Sequence, residues 1–249
     1  MEHRFACTAC GLCCFGILPL TINEAMSKAG TFPLAMSLTP IKAGTRGHNV
    51  MSQIGATATL VRKTIYLQVS AVSFIPPAMR CPELGADNLC SIHADKPEQC
   101  KTMPFFAYKD EDSQRDLLVP RPGWKCDTAE TAPVVYRDRV IIDRRNFANE
   151  RAALVSQKPQ LQRYVDFLIK YDPVTSSRLV RSAQSAQPGR VIVSFASFLR
   201  HDRSLDILAF ARSQSPVLAD WAEKTASDAS AVSYHGYYKQ ALSELNRYN

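Results

Sequence analysis

The residues best suited to do chemistry are the cysteines, and all eight lie in the first 126 residues of this 249-residue chain. They are Cys7, Cys10, Cys13, Cys14, Cys81, Cys90, Cys100 and Cys126. Thiolates are soft ligands that hold zinc and iron–sulfur clusters. Cysteines used only as small buried apolar residues would be scattered over the whole chain. The distribution therefore predicts a metal site built by one terminal and one central segment.

The terminal group has the spacing Cys7-x2-Cys10-x2-Cys13-Cys14. Thiolates three residues apart can face the inside of one turn, where backbone amides donate hydrogen bonds to sulfur. Gly11 allows the positive φ that such tight wrapping often needs. The run resembles the C-x2-C-x2-C pattern of ferredoxins, whose fourth ligand is distant in sequence. It favours an iron–sulfur cluster, [4Fe–4S] first, and leaves zinc as the alternative cofactor.

Cys13 and Cys14 are adjacent, and neighbouring side chains diverge on an ordinary backbone. Both are therefore not expected to join Cys7 and Cys10 at one tetrahedral ion. Either the site is polynuclear, or one of the pair belongs to a second site. Eight thiols suffice for two four-thiolate sites, and the spacing alone leaves their partition open.

The gaps in the central group match no simple zinc finger. Cys100 lies in a short helix that the sequence DKPE predicts, with Asp95 as its N-cap. His93 also lies in this group, but we expect it on the surface or in the core rather than at a metal. A catalytic Cys–His pair needs one activated thiolate, so the clustered thiols favour a ligand set, and no catalytic residue is predicted.

Composition is that of an ordinary folded protein, with 46% hydrophobic residues, 21% charged residues and a net charge of +7. No run approaches the roughly 18 apolar residues of a membrane helix, and the N-terminus lacks the apolar stretch of a secretory signal. We therefore expect a cytoplasmic protein, in which disulfides are rare. Arginines between 178 and 203 are too sparse to predict nucleic-acid binding. The expected partners are a metal ion or cluster and a protein, with no membrane.

Several elements must position the cysteines. Residues 5–19 are expected to form a loop wrapped on a ligand. The capping box Thr21-Ile22-Asn23-Glu24 predicts a helix that ends near Ala29. Residues 31–56 hold several prolines and glycines and are expected to have little regular structure. One or two strands are predicted over 57–69.

The second half is predicted to be mainly helical. Helices are expected over 144–157 and 160–170, with Pro159 between them, and over 175–185. Residues 190–199 form a β-like run. Further helices are expected from Ser204 to an interruption at Pro216, over 217–225 and over 237–248. We expect an α+β fold. Residues 1–126 are expected to form an irregular cysteine-cluster metal-binding region with a small β element. This region is expected to pack on a mainly helical region, residues 127–249, so that the two form one compact unit.

The cysteine-bearing segments resemble the CxxCxxCC family of cysteine-cluster proteins, also called the YkgJ-like zinc- or iron-chelating domain. The resemblance covers residues 5–126 and rests on FACTACGLCCFG at 5–16, CPEL at 81–84 and CSIHADKPEQCKTMPF at 90–105. It implies that the first seven cysteines are metal ligands, while Cys126 fits the pattern more loosely. The family usually has tyrosine and arginine where this chain has His93 and Lys96, and neither departure touches a cysteine.

Three functions are compatible with these residues. The first is an iron–sulfur protein that moves electrons or supports a redox reaction, as the resemblance to oxidoreductase-like family members implies. The second is a structural zinc module that presents a surface to a protein partner. The third is a methylase-like group-transfer enzyme, because a related domain occurs in flagellin lysine methylases. Whether the chain is an enzyme stays open.

Overall fold

An antiparallel five-stranded sheet lies at the centre of the computed structural model, which describes residues 2–45, 47–60 and 62–248. The strands of the chain are β1 (Glu2–Arg4), β2 (Leu18–Leu20), β3 (Leu34–Ile41), β4 (Ala56–Leu60), β5 (Lys63–Ser73), β6 (Val134–Arg137), β7 (Val140–Ile141) and β8 (Val191–Ser194). The central sheet has the order β2-β5-β3-β8, and β4 also pairs with β5. A smaller antiparallel sheet has the order β1-β6-β7.

Helices cover the sheet and make up most of the second half of the chain. They are α1 (Ile22–Ser27), α2 (His48–Ile54), α3 (Glu98–Thr102), α4 (Arg145–Tyr171), α5 (Pro173–Gln184), α6 (Phe195–His201), α7 (Ile207–Thr225) and α8 (Val232–Leu245). Together with the two small sheets they confirm the predicted α+β class. Within the described ranges, no helix is both long and apolar enough to span a membrane. The cytoplasmic location stays a prediction.

Two hydrophobic cores support the fold. The larger one lies around the central sheet and includes Leu38, Tyr164 and Tyr238. The second includes Phe105 and Phe147 and lies next to the smaller sheet. Helix α4 contributes to both, because Phe147 is near its start and Tyr164 near its end. Both cores thus contain residues from either side of position 126. The division of the chain into regions 1–126 and 127–249 stays a prediction.

The prediction of little regular structure for 31–56 is wrong, because this stretch contains β3 and α2. Pro40, which suggested an irregular segment, lies near the end of β3 and pairs with Leu67 of β5. On the other side of β3, strand β8 reaches only from Ala35 to Leu38. Pro40 therefore lies where β3 has one partner strand. The sheet loses no backbone hydrogen bond through the N–H that proline lacks.

The predicted breaks at Pro159 and Pro216 are also wrong, since α4 and α7 continue through these residues. A proline inside an isolated helix costs about 3 kcal/mol. Burial offsets this cost, because Leu161, Leu218 and Trp221 follow the two prolines and are almost completely buried. Tertiary packing here outweighs local propensity.

Other boundaries differ by a few residues from the predicted ones. The β-like run at 190–199 is the strand β8 followed by α6, whose N-cap Ser194 accepts a hydrogen bond from the Ala196 amide. The helix predicted from Ser204 begins at Ile207, because Asp206 accepts the amides of its first turn. The predicted last helix at 237–248 is α8, which covers 232–245.

Candidate metal centre

The loop that carries the first four cysteines is attached at its start to the segment around Cys126. Ala6 and Asp127 exchange both backbone hydrogen bonds, at 2.8 and 3.0 Å. The Thr8 hydroxyl donates to the carbonyl of Lys125 at 2.9 Å. This is antiparallel register, so position 7 lies opposite position 126. The local pairing thus brings Cys7 and Cys126 to facing positions.

The end of the same loop is attached to the segment around Cys81. The Cys81 amide donates to the carbonyl of Cys14 at 2.8 Å, and the Gly16 amide donates to the carbonyl of Met79 at 3.2 Å. An isolated antiparallel bridge joins Phe15 to Arg80, which lie between these two hydrogen bonds. Cys14 and Cys81 are therefore facing positions of a second short pairing, remote from each other in sequence.

A tight loop brings Cys90 back toward Cys81. The Leu84 amide donates to the carbonyl of Cys81 at 3.0 Å, and Leu84 forms an antiparallel bridge with Cys90. The Ser91 amide closes the loop by donating to the carbonyl of Glu83 at 2.9 Å. His93 follows as an exposed residue.

Cys100 lies in α3, whose N-cap is Pro97 rather than the predicted Asp95. The Asp95 amide instead donates to the carbonyl of Ile92 in a separate turn. The cap comes from a remote carboxylate, since Glu24 Oε1 accepts the Glu98 amide at 2.7 Å. A cap supplied 74 residues away leaves no local sequence signal.

Glu24 caps two helices at once. Its Oε2 accepts the Thr21 amide at 2.8 Å and the Thr21 hydroxyl at 2.9 Å, which confirms the predicted capping box of α1. Its other oxygen orders the start of α3, which carries Cys100. The capping box was visible in the sequence, whereas the role of Glu24 in positioning Cys100 was not.

Replacing Glu24 with glutamine is expected to lower the free energy of unfolding by about 2 kcal/mol, because one charged acceptor of backbone amides is lost. It should also weaken metal binding, since α3 would hold Cys100 less firmly. Urea unfolding and a metal titration measure the two effects. The exposed Glu130→Gln is the matched control, and equal behaviour of both variants would contradict the assigned role of Glu24.

Cys13 and Cys14 converge instead of diverging as expected, with their Sγ atoms 3.9 Å apart. The cause is a turn in which the Cys14 amide donates to the carbonyl of Gly11, whose φ is +72°. A tetrahedral thiolate site with Zn–S bonds of about 2.3 Å has roughly 3.8 Å between its sulfur atoms. The observed separation therefore suits two ligands of one ion, or of two neighbouring ions.

The thiols near Cys81 influence one another. A hydrogen bond from Cys13 lowers the pKa of Cys14. Burial, together with the smaller effect of the charges of Cys81, Cys13 and Cys90, raises the pKa of Cys100 to about 12. Burial likewise raises the pKa of Cys81. A cation bound among these thiols would relieve both the burial cost and the repulsion between thiolates.

A second set of thiols lies around Cys126. Burial raises the pKa of Cys126, and the neighbouring charges of Cys10, Cys7 and Cys13 act in the same direction. Hydrogen bonds from the backbone of Leu12 and Lys125 lower the pKa of Cys10. Cys7 and Cys13 are exposed, while the other six cysteines are half-buried.

The thiols are neighbours, but they do not form a closed ligand set. Among the residues that the structure describes, no three His, Cys, Asp or Glu side chains already have the arrangement of a metal site. The donors suit zinc or iron–sulfur, since all are sulfur atoms on segments held together by backbone hydrogen bonds. Metal binding would therefore have to draw the thiols together.

A buried carboxylate lies behind α3. Glu150 of α4 is 3% exposed, and within the described part of the chain its Oε2 has no hydrogen-bond partner. The pKa of Glu150 is raised from about 4.5 to about 7, mainly by burial. The charges of Glu24 and Glu98 contribute to this rise, whereas the Thr102 hydroxyl and Arg151 oppose it.

This pKa gives a prediction with a definite sign. Because the folded state holds the proton more tightly, the free energy of unfolding falls as pH rises from about 4.5 through about 7. Glu150→Gln removes a penalty that reaches about 3 kcal/mol at pH 8. We expect the variant to be more stable than the wild type at pH 8 and equally stable near pH 4.

Urea unfolding of both proteins from pH 4 to pH 8 tests this expectation. The difference between the two proteins isolates Glu150 from the titration of the thiols, which both share. A stability difference that does not change with pH would contradict the prediction.

Comparison with known families gives one match. Residues 6–120 match the model of the CxxCxxCC family, described as a "putative zinc- or iron-chelating domain". The matched segment contains seven of the cysteines and ends before Cys126. No curated protein and no solved structure matches the chain.

Proposed function

We propose that this chain, whose residues 6–120 belong to the CxxCxxCC family, uses its cysteines to hold a metal centre between its N-terminal loop and residues 81–126. The family description supports metal chelation in general. The observation that carries the specific proposal is the pairing of Cys14 with Cys81, which brings thiols from two remote segments together.

An iron–sulfur cluster, [4Fe–4S] first, is the proposed occupant. The ferredoxin-like run from Cys7 to Cys13 supports it, together with amides directed at sulfur, such as the Ala9 amide 3.4 Å from Cys7 Sγ. A bound cluster supplies one-electron chemistry. The chain itself would bind the cluster, orient it through the paired loop, and tune its potential through these amides.

Protein purified without oxygen tests the cluster directly. We expect a brown protein with absorption near roughly 400 nm and with iron and acid-labile sulfide in equal amounts. A colourless, iron-free protein that is fully folded would contradict the cluster.

Zinc is the second candidate, and the 3.9 Å separation of the Cys13 and Cys14 sulfur atoms favours it. In this case the centre would tie the N-terminal loop to the central segment and present a surface to a protein partner. Chelation should then lower the thermal midpoint and expose residues 1–126 to proteolysis. An unchanged midpoint and proteolysis pattern after zinc removal would exclude this role.

A further inference from the structure

We infer that the eight cysteines form two separate four-thiolate centres, one of Cys14, Cys81, Cys90 and Cys100 and one of Cys7, Cys10, Cys13 and Cys126. This partition rests on the proposed function and goes beyond it. The second centre includes Cys126, which lies outside the segment that matches the family.

The two ends of the cysteine loop provide the first argument. Cys7 faces Cys126 at one end, through the pairing of Ala6 with Asp127. Cys14 faces Cys81 at the other end. Facing positions in an antiparallel pair have Cβ atoms about 4.5–5.5 Å apart. Each pairing thus offers two thiols to a shared ion, and the two pairings are separate.

The first centre has four thiols without help from Cys13. The bridge between Leu84 and Cys90 returns the loop to Cys81, and Cys100 reaches the same place from α3. Cys100 is close enough to Cys81 and Cys90 for their charges to act on it. Four sulfur ligands complete a tetrahedral thiolate site.

The second centre needs Cys13 as its fourth thiol. Cys10 lies near Cys126, since the backbone of the adjacent Lys125 lowers the pKa of Cys10 and the charge of Cys10 acts on Cys126. The charge of Cys13 acts on Cys10 and Cys126, and it also reaches Cys81 and Cys100 of the first centre, so Cys13 lies between the two groups of thiols. Cys13 also lies 3.9 Å from Cys14, sulfur to sulfur, so the two centres would be neighbours joined by one peptide unit. This arrangement uses all eight thiols and makes Cys13 and Cys14 ligands of two neighbouring ions, which is one of the two arrangements that their separation suits.

Cobalt(II) titration of the full chain, stripped of metal under reducing, oxygen-free conditions, tests the partition. Thiolate-to-cobalt absorption reports each bound ion. We expect two equivalents for the wild type, one for Cys126→Ser, one for Cys90→Ser, and none for the variant that carries both changes. Cys7→Ser is a second probe of the Cys126 centre, and circular dichroism checks that each variant is folded.

The outcomes separate the partition from the proposed function. A wild type that binds one equivalent, or a Cys126→Ser variant that still binds two, would overturn the partition and leave a single thiolate centre. A folded wild type that binds no cobalt would overturn both. Retention of one equivalent by each single variant, with loss of both in the double variant, supports two independent centres.

Discussion

Cys100→Ser is expected to abolish metal binding at the centre that Cys100 would share with Cys14 and Cys81, and to lower the thermal midpoint by about 8–16 °C. A metal held at 1,000 times its dissociation constant stabilises the folded state by about 4 kcal/mol. For a chain of this size each kcal/mol corresponds to about 2–4 °C. The effect should be large because Cys100 on α3 lies close enough to Cys81, Cys90 and Cys14 for the charges of these thiols to interact with it.

Metal analysis and thermal unfolding of the same samples test this prediction. His93→Ala is the matched control, since His93 is exposed and lies seven residues from Cys100. We expect this control to keep its metal content and its midpoint. The proposed ligand role would fail if Cys100→Ser bound as much metal as the control, or if His93→Ala lost the metal instead.

The second large effect is expected for Gln214→Leu, which should lower the free energy of unfolding by about 4 kcal/mol. Gln214 of α7 is 1% exposed. Its Oε1 accepts the Leu34 amide at 2.8 Å, and its Nε2 donates to the carbonyls of Ala29 and Phe32, both at 2.9 Å. Leucine would leave three buried backbone groups without a partner, at about 1–3 kcal/mol each.

Urea unfolding measures this loss against Gln240→Leu, which removes an exposed glutamine that donates a hydrogen bond to Glu244. We expect the control to unfold near the wild-type urea concentration. The consequence should extend to the candidate centre, because Gln214 anchors the start of β3, which pairs with the end of β5 that leads to Cys81. Equal midpoints for the two variants would refute the anchoring role.

Local features of the fold were predictable from the sequence. The capping box at Thr21 and Glu24 was confirmed, because both partners lie within one turn of α1. The strands predicted over 57–69 are the β4–β5 hairpin. In these cases the residues that determine the structure are neighbours along the chain.

Features that depend on remote contacts were not predictable. Pro159 and Pro216 stay inside helices because their surroundings are buried, which local propensity does not encode. Pro40 is accommodated in β3 because β8 ends before it, and β8 lies about 150 residues away. The cap of α3 depends on Glu24, whose oxygens serve two distant amides.

The candidate site follows the same division. Spacing identified the cysteines, and the family match supports a chelating role for the segment that holds seven of them. Which thiols face each other depended on two long-range pairings, at Ala6 with Asp127 and at Cys14 with Cys81. The assignment of individual ligands stays a prediction, since no three donors form a closed set in the described ranges.

X-ray absorption at the metal edge of the purified, oxygen-protected protein tests the central claim most directly, because it counts the atoms bound to the metal. The proposed function predicts an inner shell of four sulfur atoms at about 2.3 Å. A shell of oxygen and nitrogen atoms, or a protein that carries no tightly bound metal, would contradict it.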